Sequence, residues 1–116
     1  MLTIRFNPNA RWPEREVEIE EPYGLLGVFL DIDVQSVWGA DLWLRMLRGI
    51  LDGSSDPLEG EYANMFCVDA DREWTRIYKL QVGEPVPEVR IHTACVIDAL
   101  ERFRQFRLDQ HSTQRS

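Results

Sequence analysis

Hydrophobic and polar positions alternate from the first residues. Leu2, Ile4 and Phe6 take turns with Thr3, Arg5 and Asn7, the two-residue period of a half-buried strand, and Asn7-Pro8-Asn9 ends it. Val17 and Ile19 then alternate with Glu16, Glu18 and Glu20. Beyond the turn signal Glu21-Pro22-Tyr23-Gly24, Leu26, Val28, Leu30, Ile32 and Val34 alternate with Phe29, Asp31 and Asp33. This pattern predicts a hairpin pairing Glu20 with Leu25, Ile19 with Leu26 and Val17 with Val28. Its outer face would gather Glu14, Glu16, Glu18, Glu20, Asp31 and Asp33, with Trp12 and Phe29 among them and Glu14 opposite Asp31.

The period then changes. Trp43, Met46, Leu47 and Ile50 fall at helical spacing, with Leu44 and Leu51 widening the stripe and Asp41, Arg45, Arg48 and Asp52 on the wet side. Gly53 is the expected C-cap, Asp56-Pro57 closes the segment, and Ser54 to Gly60 reads as a loop. Tyr62–Val68 and Trp74–Val82 read as strands joined by a turn over Asp69–Glu73. A Pro-rich break over Gly83–Pro87 and a short strand over Val89–Ile91 follow. Thr93 is expected to cap a last helix, with Val96, Ala99, Leu100, Phe103 and Phe106 inward. Asp98, Glu101, Arg102, Arg104 and Gln105 fall on its wet side.

The order β-β-β-α-β-β-β-α predicts an α+β fold, a mostly antiparallel sheet of about six strands with two helices on one face. The expected core includes Val17, Ile19, Val28, Leu30, Leu47, Ile50, Leu100 and Phe103. The length of 116 residues suits one domain, placed at residues 1–108. Residues 109–116 contain no apolar side chain and read as a flexible tail.

Charge narrows the partners. The net charge is −7, and from Glu14 to Glu84 sixteen acidic residues face six basic ones. That imbalance disfavours nucleic acid, whose binding needs Lys and Arg, and favours a basic protein. Acidity serves solubility as well. No apolar run reaches transmembrane length, and the N-terminus lacks the pattern of a signal peptide. Cys67 and Cys95 sit in apolar stretches, as reduced thiols of a cytoplasmic protein would.

Candidate chemistry is sparse. His92 and Cys95 lie three apart at a helix start, but no third group orients a nucleophilic pair. Cys67, His92 and Cys95 lack zinc-site spacing, and His111 stands apart. Asp69, Asp71 and Glu73 alternate as in calcium loops, without the glycine and distal glutamate those loops require. No glycine-rich phosphate loop occurs. Four tryptophans are present: Trp43 and Trp74 are expected in the core, while Trp12 and Trp38 sit near element ends beside acidic residues and read either as core or as anchors for a partner. The expected contact set is therefore Glu16, Glu18, Glu20, Asp31, Asp33, Asp69, Asp71, Glu73, Trp12 and Trp38, with no catalytic residue, cofactor or metal.

The stretch Thr93-Ala94-Cys95-Val96-Ile97-Asp98-Ala99-Leu100-Glu101-Arg102-Phe103-Arg104-Gln105-Phe106, preceded by Glu61-Tyr62 and a strand pair, resembles the C-terminal half of the YacL family. The overall layout, with an N-terminal hairpin, a Trp-rich helix over Trp38–Leu51, a strand pair and a closing strand–Thr–helix, resembles immunity proteins of polymorphic-toxin and contact-dependent growth inhibition systems. The second resemblance implies a non-enzymatic protein that binds and neutralises a basic toxin domain, many such toxins being nucleases; the chain itself is expected to be a monomer or weak dimer. The first implies a housekeeping interaction module. A small enzyme using His92 and Cys95 is the third reading.

Overall fold

A computed structural model describes residues 1–11, 15–79 and 87–115, with side chains through residue 110. Trp12 and Glu14 lie outside the described residues, as do residues 80–86, which hold the end of the strand expected over Trp74–Val82 and most of the Pro-rich break. The fold is α+β, with six strands among the described residues. They form two antiparallel sheets where one was expected. β1 (Ile4–Phe6) pairs only with β2 (Val17–Ile19), setting Ile4 against Ile19 and Phe6 against Val17. β3 (Leu58–Tyr62), β4 (Phe66–Ala70), β5 (Trp74–Lys79) and β6 (Glu88–His92) make the main sheet in that order.

The expected third strand is a correction. Its residues form helix α1 (Gly24–Phe29) and a π-helical turn (Leu30–Val34), closed by the Gln35 amide on the Leu30 carbonyl at 2.8 Å. The run is apolar enough to satisfy both periods. The chain takes the helical one, burying Leu26, Phe29, Leu30 and Val34 at i, i+3, i+4 and i+8. Phe29, placed outside by the strand register, is 1% exposed and packs edge-on against Trp43 and Phe66. Val28 is only partly buried, while the other seven expected core residues are buried.

The strand count survives because β3 replaces the lost one, in a stretch expected to be mostly loop. Asp33 ties the two regions together. Its carboxylate accepts the Met65 amide at 3.0 Å and the Phe66 amide at 2.8 Å, fixing the β3–β4 turn against the π-helical turn.

α2 (Val37–Asp52) begins at Ser36, whose hydroxyl accepts the Gly39 amide at 3.1 Å, and ends as expected at Gly53 with φ 82°. Gly39 has no room for a side chain: a Cβ there would lie 1.9 Å from the Val34 carbonyl oxygen. α3 (Thr93–Arg115) packs along α2, while α1 and α3 both contact β5 and β6. Its helical backbone continues beyond Leu108, the expected end of the domain.

Thr93, expected to cap α3, is instead its first residue, and its hydroxyl is used across the fold rather than on the helix amides. The residue is fully buried, and its hydroxyl donates to the Asp71 carbonyl at 2.8 Å. Having given its one proton there, it accepts from the Thr75 hydroxyl at 2.8 Å. The start of α3 is thus locked to the β4–β5 turn. No described helix is long and apolar enough to cross a membrane.

Candidate functional site

Loss of the N-terminal hairpin register disperses the acidic face. Glu18 remains on β2 and pairs with Arg5 across the β1–β2 ladder. Glu20 accepts the Thr3 amide at 2.9 Å. Asp33 is occupied with the β3–β4 turn. Asp31 does not point to solvent. Its side chain is 15% exposed and faces Arg107 of α3 at 3.7 Å, while Glu16 accepts from the same guanidinium at 2.7 Å. Glu16, and not the Glu14 that the hairpin register set opposite Asp31, joins Asp31 here, the two carboxylates being ligands of one arginine. Burial lifts the Asp31 carboxyl above its ordinary range; the Val17 amide opposes this, Glu16 adds to it, and Arg107 and Arg15 oppose it. This cluster clasps α3 to β2, helped by the Phe6–Phe106 stack at 4.7 Å and by Arg102 donating to the Leu2 carbonyl.

The second acidic group lies elsewhere. Asp71 shapes the β4–β5 turn: one carboxylate oxygen accepts the Trp74 amide at 2.7 Å and the Glu73 amide at 2.8 Å, and these bonds hold its pKa below the ordinary value. Glu73 is exposed there, and its carbonyl accepts the Thr93 amide. Asp69, on β4, accepts the Gly60 amide at 2.6 Å and faces Arg76 at 3.5 Å.

Asp69 and Asp71 open onto a groove on the outer face of the main sheet. One face of the main sheet, carrying Phe66, Val68, Ala70, Thr75, Ile77, Val89 and Ile91, is buried in the core. The strand register sets the opposite face as rows, with Trp74 beside His92, then Asp69, Arg76 and Arg90, then Cys67, Tyr78 and Glu88. A groove of about 490 Å³ runs over it, bounded by Pro57, Leu58 and Glu59 at the β3 side.

The electrostatics of this face are uneven. Arg76 and Arg90 stand directly opposite each other, an unfavourable pair unless compensated. Arg76 is compensated twice, by Glu88 and Asp69, and lies 4.1 Å over the Tyr78 ring. Arg90 leans on Trp74 at 5.5 Å, and the indole stacks on His92 at 4.0 Å. Trp74, expected in the core, is therefore an edge of this groove. The groove lining holds the carboxylates Glu59, Asp69, Asp71 and Glu88 against two guanidiniums.

Sequence reasoning missed Arg76, Glu88, Arg90 and the outward Trp74. The signal was present as alternation of Trp74, Arg76 and Tyr78 with Thr75 and Ile77, and of Glu88, Arg90 and His92 with Val89 and Ile91. His92 and Cys95 diverge: the imidazole lies with Trp74 on the outer face, and Cys95 packs against the core. Both cysteines are free thiols. Trp38, on the first turn of α2, stands 76% exposed.

No protein-family model, curated protein or solved structure matches this chain.

Proposed function

We propose that this chain is a non-catalytic, cytoplasmic protein-binding domain of the immunity type, which captures and blocks a basic toxin domain through the outer face of its main sheet. The observation that supports this best is the groove beside Trp74. It joins an aromatic anchor to a surface with an excess of carboxylates, at a site the helices leave uncovered. Aromatic side chains in such positions anchor interfaces, and surrounding charge steers encounter and selects partners of opposite sign. The N-terminal carboxylates serve the fold in this reading, since Arg5 and Arg107 already hold Glu18, Glu16 and Asp31.

The test is co-purification with a toxin domain encoded beside this chain, using the tagged parent, the W74A/E88K double variant and W38A. Capture by the parent and W38A, with loss of about a hundredfold in affinity for the double variant, supports the sheet face. Near-ultraviolet circular dichroism verifies that each variant remains folded. Loss confined to W38A would move the interface to α2. Absence of capture by the parent would favour the housekeeping-module reading.

A further inference from the structure

β3 is an unusual strand. It forms an edge of the main sheet, and Glu59, Gly60, Glu61 and Tyr62 are all exposed, so neither side of the strand is covered along these four residues. Contrast the strand at the other end of the order, β6, where Val89 and Ile91 are buried in alternation. β3 is held by its ladder to β4 and by the Gly60 amide on Asp69, across an irregularity between Leu58 and Glu61 where Gly60 has φ 66°. Tyr62 is 62% exposed. An edge strand with so little side-chain burial contributes little to the core, yet presents backbone amides and carbonyls for pairing.

Its charge selects what can pair. A two-fold antiparallel pairing of two copies centred on Gly60 would set each Glu59 opposite a Glu61, between molecules that each carry a net −7. The bulge further discourages indiscriminate addition. A strand carrying Lys or Arg at alternate positions meets neither obstacle. It would run beside the groove, which Leu58 and Glu59 border.

We infer that the partner docks by strand addition along β3, with an extended segment whose Lys or Arg side chains pair with Glu59 and Glu61. This rests on the proposed sheet-face reading and deepens it by naming the binding mode. The probe is a capped hexapeptide alternating lysine with valine, compared with its glutamate-for-lysine counterpart. Both are titrated into the ¹⁵N-labelled full chain.

The lysine peptide should shift the Leu58–Tyr62 amides and slow their hydrogen exchange, and the glutamate peptide should not. E59K/E61K should weaken the lysine peptide about tenfold, because two exposed ion pairs become repulsive. E21K/D56K changes the net charge equally at other exposed sites, and should change affinity no more than about twofold. Equal weakening by both double variants would overturn the inference, since attraction would then follow net charge alone. Shifts confined to Trp74–Tyr78 and Glu88–His92 would overturn strand addition while leaving the sheet-face reading in place. A β3 response combined with undiminished toxin capture by W74A/E88K would reject the sheet-face reading and retain the edge.

Discussion

Single carboxylates in this chain have separate duties, and their surroundings decide them. Asp33 is the clearest structural case, because two backbone amides converge on it. Asp33→Ala leaves the Met65 and Phe66 amides without that acceptor, and should cost about 2 kcal/mol in urea denaturation. Asp31 behaves differently. Its carboxyl pKa is raised in the folded chain, chiefly by burial, so the fold binds a proton there more tightly than the unfolded chain does. The sign follows: the stabilising contribution is full below the unfolded value near 3.8 and is lost as pH rises through the folded value. Asp31→Asn removes this titration. Parent stability should therefore fall relative to Asp31→Asn as pH is raised from 4 to 7. A parent that gains on the variant over that range would show that the Arg107 attraction outweighs desolvation. Asp31→Lys, harmless under the expected hairpin register, should instead destabilise the chain by setting a second cation beside Arg107.

At the scale of elements, legibility in the sequence followed the contrast between faces. α2 could be read because Trp43, Leu47 and Ile50 oppose Asp41, Arg45 and Arg48, and its Gly53 cap followed from the same pattern. β2 could be read for its alternating glutamates. The segment from Leu25 to Val34 could not, because the apolar residues surround it and two periods fit equally. What decides the outcome is tertiary: Phe29 finds Trp43 and Phe66, and Asp33 reaches the β3–β4 turn. The candidate groove was hidden for a related reason. Glu88 and Arg90 of β6 lie far along the chain from Pro57, Asp69 and Asp71, and only the sheet register, through β5, brings them onto one face. The junction between the π-helical turn and α2 is the tightest joint among the described glycines. Gly39→Ala places a methyl group against the Val34 carbonyl and should destabilise the chain by about 3 kcal/mol, seen as a lowered Tm. An unchanged Tm would mean that the first turn of α2 relaxes without cost.

For the whole molecule, the distribution of charge separates association from retention. The two acidic regions inferred from sequence occupy different places: Glu16, Glu18 and Asp31 are matched by arginines, whereas the groove keeps more carboxylates than cations. A basic partner is drawn by the net charge of −7 as a whole, while its residence depends on what it buries beside Trp74. Salt should therefore act on one rate and aromatic truncation on the other. Between about 0.05 and 0.5 M salt the association rate with the captured toxin domain should fall by roughly tenfold or more, because the Debye length shrinks from about 14 to about 4 Å. The dissociation rate should change far less. Trp74→Ala should do the reverse, leaving association within about threefold and speeding dissociation by at least about tenfold. Stopped-flow fluorescence or surface plasmon resonance resolves the two rates. If Trp74→Ala leaves dissociation unchanged while E18K speeds it, the working surface is the β1–β2 side after all, and the groove has no part in holding the partner.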